Sequence, residues 1–439
     1  MDVAERVDAA RLTGSALAGV SGVVRDAHGS IATHVFSQVR KYVGPAVTPV
    51  EFTHDAIAHG VYTTTGLVLR GAGLLAGRLV ESRAGAPGRA AQVLSGVDNP
   101  GEPIPATRPG SPHVEGLRAL VQGFHGDKMV ATGSALAYPM TLRRSGSDVP
   151  ITKRGLASAY PDASDQIVVF VHGFIGTEQM WKRRADRDPL GRRLSYGRRL
   201  EADGDFSALW VRYNTGQRVS RNGRDLRDLL RRVHARWPRP VRRIVLVGHS
   251  MGGLVCHSAL AQADLDEPWT EVTSDTVTLG TPHHGTPLER AANTAASELA
   301  SREVTRWIAD IIRYRSDGIR DMRHGNLVPA DWLDHDPEDP LDRRTHARPH
   351  EHVRHLAVVA TVPRDPDGLL AGFLGDLVVG RDSARGWSAD PAQGAVGSSQ
   401  TVVLGGMNHL DLLNHHRVYA LMRPVLLEAR PIPEAAAQA

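Results

Sequence analysis

The stretch Val247-Gly248-His249-Ser250-Met251-Gly252-Gly253 decides the fold. It follows the apolar run Arg243-Ile244-Val245-Leu246-Val247 and leads into Leu254-Val255-Cys256-His257-Ser258-Ala259-Leu260, which reads as a helix. A buried strand that enters G-x-S-x-G and leaves as a helix is the context of a nucleophile elbow. Side chains two residues before and after the serine would collide in so tight a turn. Gly248 and Gly252 remove them, and Gly253 lets the helix approach its strand. Ser250 is then expected in a strained backbone conformation with its hydroxyl above the sheet. The Met251 N–H, at the helix start, faces the position where an oxyanion would form. The competing reading is a glycine-rich strand-to-helix turn of some other α/β protein.

Working outward, Gln166-Ile167-Val168-Val169-Phe170-Val171 is continuously apolar, as a parallel strand buried on both faces should be. Ala208 to Tyr213 follows, and between Gly216 and Trp237 the residues Leu226, Leu229, Leu230 and Val233 share a helix face. After the elbow come the strand candidates Asp275–Leu279, His355–Val362 and Thr401–Leu404. Ala135 to Leu142 reads as a lead-in strand, confined to a sheet edge by Pro139. Such alternation predicts an α/β fold with a mostly parallel central sheet and helices on both faces.

The rest of the chain narrows the classes. With 439 residues it holds one large domain and an accessory region. A net charge of +4 is mild, and bases interleave with acids, as in Arg183-Arg184-Ala185-Asp186-Arg187-Asp188, so no nucleic-acid partner is expected. The single cysteine, Cys256, excludes an intramolecular disulfide and reads as a small core residue. Residues 1–80 read as a helical N-terminal extension with small-residue faces, including Gly73 and Gly77. They pack on the main domain or a second subunit, or serve as a peripheral membrane or lipid-granule contact with Arg70 and Arg78 snorkelling. Residues 81–112, rich in proline and glycine, read as a linker or arm, and residues 113–430 as the main domain. Asp2, Glu5 and Asp8 are the wrong sign for a signal peptide, and no apolar run spans a membrane, so a cytoplasmic or membrane-peripheral location is expected.

A serine nucleophile needs a base, and the base an orienting acid. Of the 21 histidines, His409 lies just past the last strand, in Gly405-Gly406-Met407-Asn408-His409-Leu410-Asp411. His415 and His416 fall in the following helix, and His249, within the elbow, is expected to point to the wrong side. For the acid, Asp365, Asp367, Asp376, Asp382 and Asp390 compete. Asp376, in Leu374-Gly375-Asp376-Leu377-Val378-Val379, has a glycine for a turn and apolar neighbours to bury it, which favours the imidazolium formed during attack. Asp365 and Asp367 flank Pro366 and read first as turn residues. The loop His172-Gly173-Phe174-Ile175-Gly176-Thr177 follows the strand 166–171. Its glycines free the backbone, making the Phe174 N–H the second oxyanion donor and His172 an orienting residue.

Together, His172-Gly173-Phe174, Gly248-His249-Ser250-Met251-Gly252, Leu279-Gly280-Thr281-Pro282-His283-His284-Gly285 and Asn408-His409-Leu410 resemble a lipase/esterase of the α/β-hydrolase superfamily. The similarity is greatest to the branch of bacterial lipases and GPI-inositol-deacylase-like esterases with G-T-P-H-x-G. It covers about residues 165–422. The resemblance implies Ser250 as nucleophile, His409 as base, Asp376 as acid, and Phe174 and Met251 as oxyanion donors. Gly280 to Gly285 would shape the pocket rim. Lipases often carry D-G-V-V or D-x-x-V at the acid, where this chain has Asp376-Leu377-Val378-Val379.

The roughly 70 residues between Gly285 and His355 exceed an ordinary connection. Residues 286–354 are therefore expected to form a cap or lid, or a fixed helical decoration, with Trp307 and nearby isoleucines suited to an acyl chain. No metal and no cofactor is expected: His346, His350, His352 and His355 lack fixed ligand spacing, and no phosphate or dinucleotide fingerprint occurs. The sequence thus predicts a serine hydrolase of small-molecule or lipid carboxylic esters. A thioesterase or acyltransferase with the same triad, and a non-catalytic hydrolase-fold scaffold, are the alternatives.

Overall fold

The computed structural model describes residues 40, 112–134, 137–187, 191, 193–264, 266–286, 316–335, 342, 344, 345, 350, 352–364, 376, 379, 383 and 399–428. All described elements fall within one unit, residues 106–294 and 313–439. The expectations for residues 1–80 and 81–111, and for most of the 286–354 insertion, lie outside the described residues.

Helix α1 (Pro112–Ala131) is followed by the short edge strands β1 (Thr141–Arg144) and β2 (Ser147–Asp148), helix α2 (Lys153–Ala159) and strand β3 (Gln166–Val171). A two-stranded flap, β4 (Asp186–Arg187) and β5 (Arg193–Leu194), leads to helix α3 (Tyr196–Gly204) and strand β6 (Phe206–Arg212). Helix α4 (Val219–Arg236) runs into strand β7 (Arg243–His249), helix α5 (Met251–Ala261), the single turn α6 (Pro268–Glu271) and strand β8 (Thr273–Leu279). Helix α7 (Asp317–Asp321), strands β9 (Arg354–Thr361) and β10 (Ser399–Gly405), and helix α8 (His416–Leu427) complete the described part.

The eight-stranded sheet runs β10-β9-β8-β7-β3-β6-β1-β2. Strands β3 and β6 to β10 are parallel, and β1 pairs antiparallel with β6 and β2. Parallel strands with covered faces have no solvent side, which is why their sequences are continuously apolar. Ile167, Val169 and Val171 of β3 face a core shared with α2, α4 and α5, whereas Val168 and Phe170 face one shared with α3 and α8. Each such side chain contributes about 1.5–3 kcal/mol on burial. Strand β3 lies between β6 and β7, so the chain reverses its direction of travel there. Open α/β sheets place their sites at the C-terminal edge beside such a reversal.

The lead-in strand expected over Ala135–Leu142 is corrected. Strand β1 begins only at Thr141 and pairs three residues with β6, from Thr141↔Arg212 to Arg143↔Trp210. The preceding Tyr138 is tied to α1 instead: its N–H donates to Gln122 Oε1 at 3.2 Å and its hydroxyl to Glu115 Oε2 at 3.1 Å. Pro139, lacking an N–H, marks the change of partner.

Candidate active site

The turn after β7 is built by contacts that only glycine permits. A Cβ on Gly248 would run into the backbone of Gly253, and one on Gly252 into the carbonyls of Val171 and His172 at the end of β3. Gly252 therefore clears the neighbouring strand, rather than a side chain across the turn. Ser250 has φ 53° and ψ −127°, a region L-residues rarely occupy. The strain is held from outside. Ser250 N–H donates to Leu279 O at 2.8 Å, and the Thr281 hydroxyl donates to Ser250 O at 3.0 Å. The end of β8 thus grips both polar groups of the strained residue.

His409 opens a 3-10 turn, His409–Leu412, capped by Asn408. Asn408 Oδ1 accepts from the N–H groups of Leu410 and Asp411, and Asp411 Oδ2 accepts from Asn408 N–H, the reciprocal pattern of a capping box. So fixed, His409 Nδ1–H donates to Asp376 Oδ2 at 2.6 Å. Asp376 is 1% exposed. Its other oxygen accepts from Val379 N–H at 2.7 Å, and its carbonyl from His409 N–H at 3.2 Å. Gly280, with φ 59°, backs onto the pair: a Cβ there would stand 3.0 Å from His409 Nδ1 and 3.1 Å from Asp376 Oδ2. Since Gly280 directly follows the carbonyl that holds Ser250, serine, histidine and aspartate converge on the end of β8. The rival acids Asp365, Asp367, Asp382 and Asp390 lie outside the described residues.

The loop after β3 closes the third side. Gly176 N–H donates to Gly173 O at 3.1 Å, and Ile175 takes φ 50°, unusual for a β-branched residue. The Ile175 N–H is satisfied by Thr215 Oγ1 at 3.3 Å, whereas the Phe174 N–H has no acceptor among the described residues. Met251 N–H, at the first position of α5, has no acceptor within its helix either. A Cβ on Gly173 would lie 3.0 Å from Ser250 Cβ, so loop and elbow touch. His172 anchors the loop. Nδ1–H donates to Gly173 O at 3.0 Å, Nε2 accepts from Tyr213 N–H at 3.4 Å, and the ring stacks on Tyr213. Burial lowers its pKa to about 4, which keeps it neutral.

Beyond the loop, Glu178 binds Arg212 through two contacts of 2.7 Å and also meets Arg143. Burial alone would raise the Glu178 pKa, but the Arg212 guanidinium overrides it and holds it at about 2. Helix α1 presses on the same loop. A Cβ on Gly123 would strike Ile175 and approach Phe174, and Phe124 meets Phe174 edge-on at 5.8 Å. Phe124 and Ile175 are exposed.

Two residues differ from their expected positions. His249 does not point away: its Nε2–H donates to His409 O at 3.2 Å, and the two rings lie 4.8 Å apart. Of the two histidines expected in the C-terminal helix, only His416 is within it. His415 caps α8 and His416 opens it. Behind the elbow, His257 of α5 packs against His283 and His355 with ring centroids 5.0 Å away in each case. Burial keeps all three neutral. Among the described residues no group of histidines, cysteines and carboxylates has a geometry that could hold a metal. Cys256 is buried and its thiol pKa is raised by desolvation. No helix among the described residues is long and apolar enough to cross a membrane.

The reversal of strand order at β3 and the strand–turn–helix at Ser250 define an α/β-hydrolase fold. Residues 162–324 match the family model described as a PGAP1-like alpha/beta domain. That span includes β3, the elbow and β8, and ends before Asp376 and His409. Among solved structures the chain is similar to a Bacillus licheniformis lipase in its mature form (19% identity, 60% of this chain and 91% of that one, TM-score 0.38). It is also similar to a carboxylesterase from Bacillus subtilis (13% identity, 61% and 85%, TM-score 0.32). A lipase-esterase related protein from Clostridium acetobutylicum matches at 12% identity (60% and 94%, TM-score 0.32). No protein of curated function matches the chain.

Proposed function

We propose that the protein is a serine hydrolase of carboxylic esters. Ser250 Oγ attacks the ester carbonyl while its proton passes to His409 Nε2. Asp376 accepts the Nδ1–H and stabilises the imidazolium. The N–H groups of Phe174 and Met251, both without an acceptor among the described residues, donate to the oxyanion; such donors are worth about 10²–10³ in kcat apiece. His409 then returns the proton to the departing alcohol, leaving an acyl-enzyme. Water, deprotonated by His409, attacks that acyl group, and collapse restores the Ser250 hydroxyl. The apolar side chains of Phe124, Phe174 and Ile175 beside the oxyanion loop suit the hydrocarbon part of an ester.

One observation carries this reading. The 2.6 Å His409–Asp376 hydrogen bond is seated on Gly280, the residue after the carbonyl that anchors Ser250. The test is turnover of p-nitrophenyl esters from acetyl to palmitoyl by the wild type and by Ser250→Ala. Hydrolysis with a chain-length optimum, lost in the variant, is expected. Equal rates for the two proteins would overturn the assignment.

A further inference from the structure

His249 precedes the strained serine and is 1% exposed, in the centre of the candidate site. Its ring touches three separate pieces of chain. Nε2–H donates to the carbonyl of His409, 160 positions away in sequence. The Nδ1 edge faces Gly173, where a Cβ would stand 3.0 Å away. Trp181 meets the ring edge-on at 6.4 Å. The tautomer follows from these partners. A carbonyl accepts, so Nε2 carries the proton and Nδ1 carries the lone pair. Nδ1 has no hydrogen-bond partner among the described residues.

We propose that His249 is a positioning residue that locks the base loop and the oxyanion loop onto the nucleophile elbow. This rests on the Ser250–His409–Asp376 reading above. The residue next to the nucleophile holds the backbone of the base through one ring edge and abuts the oxyanion loop through the other. Relative placement of the three loops then depends on one rigid side chain. Asp376 orients the His409 ring from its far side; His249 fixes where the residue stands.

The ring must also stay neutral. Burial, then the nearby His409, lower its pKa to about 3. A proton on Nδ1 would have no acceptor and would place a cation 4.8 Å from the imidazole that becomes charged during attack. The groups facing the ring are the neutral His172, Trp181, the glycine of the oxyanion loop and His409 itself. No carboxylate faces it among the described residues. A hydrogen-bond donor without a charge is what the position requires.

The test uses the full chain with His249→Gln, His249→Asn and His249→Leu. A glutamine amide nitrogen reaches the place of Nε2, whereas an asparagine amide stops at the place of Nδ1. The first retains the bond to His409 O and the second does not, though both are polar amides. With p-nitrophenyl butyrate, Asn and Leu are expected to lower kcat roughly 100-fold with little change in KM, the size of effect that follows a misplaced catalytic group. Gln is expected to recover most of the loss. Equal kcat for Gln and Asn, or a wild-type kcat for Leu, would overturn the proposal. If the wild type neither turns over esters nor reacts at Ser250, the hydrolase reading fails. The tether is then judged from the carbon-bound ring protons of His409 in NMR spectra, which should match wild type in Gln and move in Asn.

Discussion

Replacing Asp376 with asparagine gives the account a severe test, because the structure dictates how the amide must turn. In the wild type Val379 N–H donates to one carboxylate oxygen at 2.7 Å, and His409 Nδ1–H donates to the other at 2.6 Å. An asparagine retains only one acceptor. The backbone N–H of Val379 is fixed, so the amide oxygen stays with it and the NH2 faces His409. A donor then confronts a donor, and the imidazole relieves the clash by moving its proton to Nε2. That tautomer has no lone pair for Ser250 and is no longer a base. An aspartate-to-asparagine change that leaves triad geometry intact lowers kcat by about 10⁴, or about 5.4 kcal/mol in the barrier. The side chain keeps its volume and its Val379 bond, so the thermal midpoint should shift little. Ester turnover and thermal unfolding of Asp376→Asn against wild type supply the measurement. A fall in kcat below tenfold, with the fold intact, would refute the reasoning.

Three further expectations follow from the packing. Glu178→Gln leaves Arg143 and Arg212, 4% and 6% exposed, without their shared carboxylate. Arg143 keeps Asp148 and Arg212 keeps Glu115, so the cost falls below the ~3–5 kcal/mol of a buried charge left wholly unpaired; it is read as a lower urea midpoint, and an unchanged midpoint would contradict it. Gly252→Ala is expected to abolish soluble folded protein, since the new methyl meets backbone carbonyls of β3. Gly116→Ala in α1 meets nothing within 4 Å and should gain about 0.5–1 kcal/mol. The buried neutral histidines set an acid limit. Burial lowers the pKa of His172 and His355 to about 4 and of His283 to about 3, all below the ordinary 6.5. The unfolded chain therefore binds more protons than the folded one. Their stability contribution is complete above about pH 6.5 and is lost as pH falls towards 4, by about 1.4 kcal/mol per histidine per pH unit. Urea midpoints from pH 7 to 4.5 should fall steeply, and His355→Leu should flatten the slope; an unaltered slope would count against this origin.

The central strands were legible because both of their faces are buried. Ile167 to Val171 and Ile244 to Val247 needed no partner to be named before their hydrophobic runs declared them. The elbow was legible for a similar reason, since glycine is demanded by contacts within one short turn. The Asp376–His409 contact could be anticipated because His409 stands just beyond a strand end and Asp376 beside the buried Val379. What lay hidden depends on contacts between distant segments. Helix α1 carries Gly116, Gly123 and Gly126, which weaken any helical reading, yet Gly123 and Gly126 are where Ile175 and Asn214 approach it. Strand β1 is short because Tyr138 turns to Gln122 and Glu115 of that helix. His249, from its place in the elbow, is expected to point to the wrong face. The loop bearing His409 crosses over that face and meets it.

The most direct test of the account is the site at which a fluorophosphonate probe attaches, read by mass spectrometry of the digested protein. Attachment at Ser250 alone, absent in Ser250→Ala and slowed in Asp376→Asn and His409→Ala, is the predicted result. Folded wild-type protein that takes up no probe, or takes it up at another serine, would contradict the claim that Ser250 is the nucleophile.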